Sequence, residues 1–546
     1  MMLGIILLGS VACQLSTMPS GDMSFGETLT PIQPAFRTIT NSAETPTPPK
    51  TLIRIENDIP AGLSNQIHFT SNVLMTDDQR AEAFGLGIVP SEKAISFWVY
   101  ALVAPFPTVE DGISLNALRL FWQGEGSGLF EEKPLLVNHN TLQVFSSLWG
   151  KPAKTSVQEI EENLLEYAWQ ERPSWAIIPF EQVNPRWKVL RIDDMSPFDR
   201  NFSPIQYPLT IPIGWKNEQS PEGINVPSGN YDSSKMTTLI MTGTTALVRA
   251  TGAKMEKWGM DYPARDIDKW LREADLTHIS NEVSFEKNCP PADPYQKSLI
   301  FCSRPEYIEL LEIVGTDIVE LTGNHLMDWR RKALLDTLEL YDQHGMKYYG
   351  AGENLDAARR PLLIEHNGNR LAFLGCNLAG PPNIWATDEE FGIAPCQFEV
   401  MKSQIQQLCS EEYLPIVTLQ HFEYYVYQPT PAQQRDFGEL AEAGAVIVSG
   451  SQGHYPQAMT FVDNHFIHYA LGNLFFDQMY MANPSTQDIP VAGTRREFID
   501  RHIFYDGKYI GTELLTALLE DFARPRPMTA EERRFLLEGV FKASDW

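Results

Sequence analysis

Positive charge is what this 546-residue chain has least of: 43 Lys and Arg stand against 70 Asp and Glu, a formal charge of −27. A surface that negative repels phosphate backbones, which argues against sequence-blind binding to nucleic acid. The same field repels an acidic polymer unless a metal or a local basic patch intervenes. Cysteine is scarce as well, with 6 in all and no C-x-x-C pair, which argues against metal binding through thiolates. Beyond the first dozen residues no apolar run is long enough to span a bilayer, so an integral membrane transporter is excluded. No internal repeat is visible. Hydrophobic residues at 43% and charged residues at 21% are ordinary globular usage, and the length predicts two or three compact units.

What is present begins with a short apolar stretch, Met1 to Cys13, that ends in small residues and reads as an export segment. Cys13 after Val11 and Ala12 is similar to the acylated cysteine of a bacterial lipoprotein box. The alternative is an ordinary secretory signal with an incidental cysteine. No positive segment precedes the apolar stretch, which would fit a start further upstream, and Ser10 stands where a branched apolar residue is usual. Residues 14–50 are rich in Ser, Thr and Pro and suit an extended tether. The expectation is an exported protein, either anchored on the outer face and touching the membrane by a lipid only, or periplasmic or extracellular. That setting permits disulfides. Cys289–Cys302 and Cys376–Cys396 are the pairings favoured by proximity, with Cys409 left over.

From 51 to 215 strand-like runs (AISFWVYALVAPF, WAIIPFE, WKVLRID) mix with the helix-like SVQEIEENLLEYAW, which predicts an N-terminal α/β domain. Its run WVYALVAPFPTVEDGISLNALRLFWQGEG is similar to a type 2 periplasmic solute-binding half; a family-specific accessory domain is the alternative. Residues 216–235 have the Gly, Pro, Asn and Ser content of a linker. After it strands alternate with amphipathic helices, which predicts an α/β unit with a largely parallel sheet over 236–510. A helical tail is expected over 511–546.

In such sheets ligands gather beyond the carboxyl ends of the strands. Thr244 follows the strand TTLIMT, Glu282 follows LTHIS, and Asn324 and His325 follow IVELTG, with Asp328 three residues on. His421 and Glu423 follow PIVTLQ, and Gln452 and His454 follow AVIVSGS. Each has a plainer reading. His325 with Asp328 could start a helix, His421 could be a satisfied histidine at a sheet edge, and Glu282 could pair with Arg249 or Arg304. His468, within FIHYA, reads as structural. Convergence from four strands on one edge favours a site.

These clusters resemble the CapA-type capsule or poly-gamma-glutamate biosynthesis proteins, of the calcineurin-like metallophosphatase superfamily, over roughly 237–480. The matching positions run from Gly243-Thr244 to Arg249, then Ala274-Asp275 to Ser280-Asn281-Glu282, then Gly323-Asn324-His325 with Asp328. They continue through Gly350-Ala351-Gly352, His421, and Gly450 to His454, and end at Leu471-Gly472-Asn473 to Asp477. The resemblance implies a metallophosphatase-like αββα sandwich preceded by a separate α/β domain. It implies Glu282, Asn324, His421, Gln452 and His454 as metal positions, His325 with Asp328 as the acid, and Arg249, Glu423 and Asn473 as substrate contacts.

Three departures bear on the chemistry. Thr244 stands where the superfamily has a metal-binding aspartate, Ser280 replaces an asparagine, and Gln452 replaces the first histidine of an H-x-H pair. A hydroxyl and an amide remove charge and donor strength together, so at most one weakened divalent site (Mn, Zn or Fe) is expected. The resemblance makes an anionic envelope polymer or its precursors the partner class. Three functions stay open: an assembly protein for such a polymer with a degenerate centre, a metal-dependent hydrolase of a phosphoester or amide, and a non-catalytic solute- or polymer-binding lipoprotein. Local positive charge would come from a bound cation, from Arg249, or from Arg330-Arg331-Lys332, for which a solvated helix face is the plainer reading.

Overall fold

Ten consecutive residues from Met236 to Thr245 carry no charge and are all buried, which requires a central strand covered on both faces. The computed structural model places it so, and describes residues 50–78, 81–130, 133–217, 219–478 and 493–546. The export segment, Cys13 and the tether as far as residue 49 lie outside the described residues.

The C-terminal body holds two sheets. The first begins with β1 (Met236–Thr245), β2 (Leu276–Asn281), β3 (Ile318–Glu320) and β4 (Lys347–Tyr349). The second takes β5 (Leu362–His366), β6 (Asn369–Asn377), β7 (Leu414–Gln420), β8 (Ile447–Ser449), β9 (Met459–Val462) and β10 (His465–His468). Then β11 (Arg496–Tyr505), β12 (Lys508–Glu520) and β13 (Arg524–Pro527) complete the first. The orders are β4-β3-β2-β1-β11-β12-β13 and β5-β6-β7-β8-β10-β9. Strands β1 to β4 are parallel, as are β6, β7, β8 and β10. The longer helices are α1 (Arg249–Trp258), α2 (Arg330–Gln343), α3 (Phe398–Ser410), α4 (Pro431–Glu442) and α5 (Ala530–Ala543).

Side-chain alternation fixes the layers. Leu239 and Met241 of β1 meet Phe373, Ile416 and Phe466 of the second sheet in one core. Ile240, pointing the other way, packs with Leu334 and Tyr341 of α2. On the far side, Ala372 and Leu374 of β6 pack with Ile405 of α3 and Phe437 of α4. The result is helix, sheet, sheet, helix: an αββα sandwich.

The N-terminal body is a ten-stranded mixed sheet around Ser96–Pro105, with a core built on Trp98, Trp122 and Trp175. Ile503 and Ile510 of the C-terminal body join that core, and residues 50–546 form one compact unit. No helix among the described residues is long and apolar enough to cross a membrane.

Several local expectations are corrected. Residues 156–169 are not one helix: Val157–Glu159 is a strand and Leu164–Gln170 a short helix. The segment 511–546 is not helical throughout, because residues 511–520 belong to β12 and only α5 is a long helix. Their apolar residues find a full-length antiparallel partner in β11. Segment 216–235 is laid onto the N-terminal body: Ile224–Asn225 pairs with His68–Phe69, and the Asn230 side chain bonds the Val99 backbone on both sides. Helix α1 was not expected, since Gly252 interrupts a weakly apolar run.

Candidate functional site

The site is made where the carboxyl ends of the two sheets cross. Thr244 of β1 sits beside Ser280 of β2 and is bridged to Asn473. Its amide donates to the Gly472 carbonyl at 3.0 Å. A Cβ on Gly243 would lie 2.1 Å from that same carbonyl oxygen, so only glycine admits the crossing. At the end of β8 the same holds for Gly450, whose Cβ would lie 1.9 Å from the Tyr469 carbonyl. Gly243 therefore closes β1 on the segment after β10, and Gly450 seats the end of β8 against β10 within the second sheet.

His454 is the centre of the charged cluster. Its Nδ1 bonds Asn473 Oδ1 at 2.8 Å, and its Nε2 lies 3.6 Å from Glu282 Oε1 and 3.4 Å from Glu423 Oε1. Burial opposes a charge on His454, but the carboxylates of Glu282 and Glu423 raise its pKa well above the ordinary value. Burial likewise opposes the Glu423 charge, yet His454 and the Tyr425 hydroxyl, 2.7 Å away, bring it down to about 2.

His325 and Asp328 form a second unit. His325 Nδ1 is 2.7 Å from Asp328 Oδ2, and its ring stands edge-on to Phe301 at 4.8 Å. Burial lowers the imidazole pKa, but the Asp328 hydrogen bond and the charges of Glu282 and Asp328 outweigh it, leaving His325 raised. With Nδ1 held by the carboxylate, Nε2 is the nitrogen left for proton transfer.

The other positions separate. His421 Nε2 faces Asp436 Oδ2 at 3.1 Å, and burial, against that carboxylate, lowers its pKa. Asn324 Oδ1 accepts from Gln420 Nε2 at 3.0 Å. Arg249, expected as a substrate contact, is 5% exposed and paired with Asp477 at 2.8 Å. Its guanidinium lies 5.5 Å from the Phe301 ring and 5.0 Å from the Phe476 ring. Those rings in turn touch His325 and, at 5.2 Å, His454. Arg249 thus supports the rings behind the histidines. Glu282 pairs with neither Arg249 nor Arg304, which bonds Glu256 and Glu306. Arg331 and Lys332 pair with Glu390 and Asp336. His468 is a buried partner of Asp500. Cys289–Cys302 and Cys376–Cys396 are bonded, and Cys409 is free.

Asp436, Tyr425 and the buried Glu320 were not singled out from sequence. Asp436 had a signal: it lies on the buried face of α4 with Gln433, Phe437 and Leu440, where a charge needs a partner. Glu320 accepts from Thr322 Oγ1 at 2.5 Å and from Ser451 Oγ, tying β3 to the end of β8.

A divalent ion needs anionic or imidazole donors that water and protein leave unsatisfied. Glu282 Oε1, His421 Nδ1 and both amide atoms of Gln452 are buried without a hydrogen-bond partner. Together with His454 Nε2, this donor chemistry fits one ion. It does not fit two, because Thr244 and Gln452 carry no charge. The donors are not drawn together: among the described residues only His139, Glu159 and Glu161, exposed on the N-terminal body, gather three such atoms within 4.8 Å of one another.

Residues 238–478 match the family described as bacterial capsule synthesis protein PGA_cap. Capsule biosynthesis protein CapA of Bacillus anthracis is 27% identical over 260 residues, covering 46% of this chain and 62% of that protein, less than two thirds of its length. PGA biosynthesis protein CapA of Bacillus subtilis (strain 168) is 23% identical over 278 residues, covering 50% of this chain and 71% of the relative. A solved structure titled a novel phosphatase, from Mycoplasma pneumoniae, aligns with TM-score 0.32 and 15% identity over 56% of this chain and 99% of its own.

Proposed function

From the premise that this chain is a divergent CapA-type member of the capsule-synthesis family, we propose that it serves at the cell envelope in making or assembling a capsule- or poly-gamma-glutamate-type anionic polymer. Its metallophosphatase-like site is degenerate, keeping one cation position of two. One observation carries this reading: Gln452 lies buried with both amide atoms unpartnered, beside a Thr244 that stands where the superfamily has its aspartate.

Glu282, His421 and His454 would hold the ion, with Asn324 and Gln452 offering neutral oxygens. The bound ion would supply Lewis-acid polarisation of a phosphoryl or carbonyl oxygen. Its entry must displace the proton that the two carboxylates hold on His454. A local cation would also let a chain of formal charge −27 meet a polyanion. Export, with Cys13 as the lipid attachment, belongs to the same proposal.

A second reading, a metal-dependent hydrolase, is favoured by the His325–Asp328 pair, whose 2.7 Å contact orients an imidazole for proton delivery. Elemental analysis of the full chain with and without added Mn2+ tests both readings. About one ion per chain, with His454→Ala abolishing it, supports the one-cation site. Phosphodiester or gamma-glutamyl amide hydrolysis lost in His325→Ala would favour the enzyme. No ion under any condition would overturn both.

A further inference from the structure

Where the N-terminal strand Trp187–Ile192 approaches β12, the two bodies border a half-open cavity of about 290 Å3, near the small end of ligand-site sizes. None of its lining residues belongs to the strand-end cluster, so it stands independently of the function proposed above.

The cavity exists because β12 is only partly covered. Strand β13 pairs with Ala517–Glu520 alone, leaving no strand against that edge at 512–516 among the described residues. Leu514 and Leu515, in the middle of a 13-residue strand, are only half-buried. Leu514 makes an apolar wall with Phe106, Leu537 and Phe541, while Leu515, next in the strand, packs on its other face with Trp270.

The lining is also charged, with Lys188, Arg191, Arg501 and Arg533 beside Asp111 and Glu513. Asp111 is shared by Lys188 at 2.7 Å and Arg533 at 2.8 Å. Glu513 stands between Arg191 at 3.8 Å and Arg501 at 3.3 Å, and Arg191 also pairs with Asp199 at 2.7 Å. Arg533 Nη1 is buried without a hydrogen-bond partner, whereas Glu513 Oε2, also without one, faces the Arg501 guanidinium at 3.3 Å. A charged donor left so is costly unless something supplies an acceptor.

We propose that this cavity binds a small monoanionic amphiphile, its head accepting from Arg533 Nη1 and its apolar body lying along Leu514, Leu537 and Phe541. An apolar stretch and an unanswered cationic donor lining one half-open cavity match such a molecule and disfavour a purely polar one.

Calorimetric titration of the full chain with decanoate, decyl phosphate and decanol tests this. The wild type should bind at least one of the two anions about tenfold more tightly than neutral decanol; the better anion tells a carboxylate from a phosphate head. Arg533→Gln should bring that anion to within about twofold of decanol. Leu514→Trp, which fills the space, should weaken all ligands by about tenfold or more. Absence of anion binding, equal binding of decanol, or anion binding unchanged in the variants overturns the proposal. Should Arg533→Gln fail to fold, the wild-type anion-to-decanol ratio and Leu514→Trp decide.

Discussion

The Phe301 N–H donates to Asp328 Oδ2 over 2.7 Å, and the same oxygen faces His325 Nδ1 at 2.7 Å. Phe301 directly precedes Cys302, which is bonded to Cys289 across a 13-residue separation. The loop that positions Asp328 is therefore pinned by a covalent link, and His325 inherits its orientation from it.

Removing that link should be felt globally. A disulfide closing a loop of this size stabilises by about 3 kcal/mol, largely by restricting the unfolded chain. The paired change Cys289→Ala and Cys302→Ala should lower unfolding free energy by about that amount, read as a shift in the urea midpoint. A midpoint shift no larger than that of Cys409→Ala would contradict it.

The close seating of β8 against β10 makes a sharper demand. A methyl at Gly450 would meet the Tyr469 carbonyl at 1.9 Å, with backbone on both sides and no flexible side chain to yield. Gly450→Ala should cost about 1–3 kcal/mol or more and shift Ser451 off Glu320. Gly368→Ala, where a Cβ meets nothing within 4 Å but φ is +76°, serves as a control for backbone strain alone. Thermal unfolding of both variants checks the ordering.

Much of this architecture was legible because strand ends announce themselves. Runs such as PIVTLQ and AVIVSGS are apolar, short and followed by a polar residue, so the positions of His421 and Gln452 could be read directly. Which way those side chains turn was not legible, because partners come from far along the chain. His421 is held by Asp436 on α4, and Arg249 by Asp477, 228 residues away. The helix expected over β12 gives way to a strand because its run Glu513–Leu519 shows no clean alternation of apolar and polar residues, which leaves the period ambiguous. The inter-sheet polar layer of Glu320, His278 and His502 left no local signal at all.

That layer predicts acid sensitivity. Burial lowers His278 to about 3 and His502 to about 4, from an ordinary value of 6.5. For His502, Asp500 partly opposes this and His468 adds to it. A base whose folded pKa lies below its unfolded value lets the unfolded state take the proton first. Stability is then full above pH 6.5 and falls as pH drops toward 4, by roughly 3 kcal/mol for His502 alone. Urea unfolding of wild type and His502→Gln at pH 7.5 and pH 5 measures the effect. A variant as pH-dependent as the wild type would rule it out.

The proposed one-ion reading turns on Thr244 and Gln452. Thr244 is fully buried at the end of β1, with its Oγ1 3.5 Å from the Ser451 carbonyl. Gln452 lies two residues before His454. If these two residues alone separate a one-ion centre from a two-ion centre, Thr244→Asp with Gln452→His should raise bound Mn2+ or Zn2+ from about one to about two per chain, since a carboxylate and an imidazole supply the missing charge and donor strength. Each single change should tighten the first ion without adding the second. The double variant should also be less stable without metal, because an uncompensated carboxylate replaces a buried hydroxyl, and metal should restore stability by binding only the folded state. Elemental analysis and thermal unfolding with and without Mn2+ read both. Stoichiometry unchanged in a folded double variant would place the loss of the second site elsewhere, with Ser280 and the Asp436-held His421 the next positions to alter.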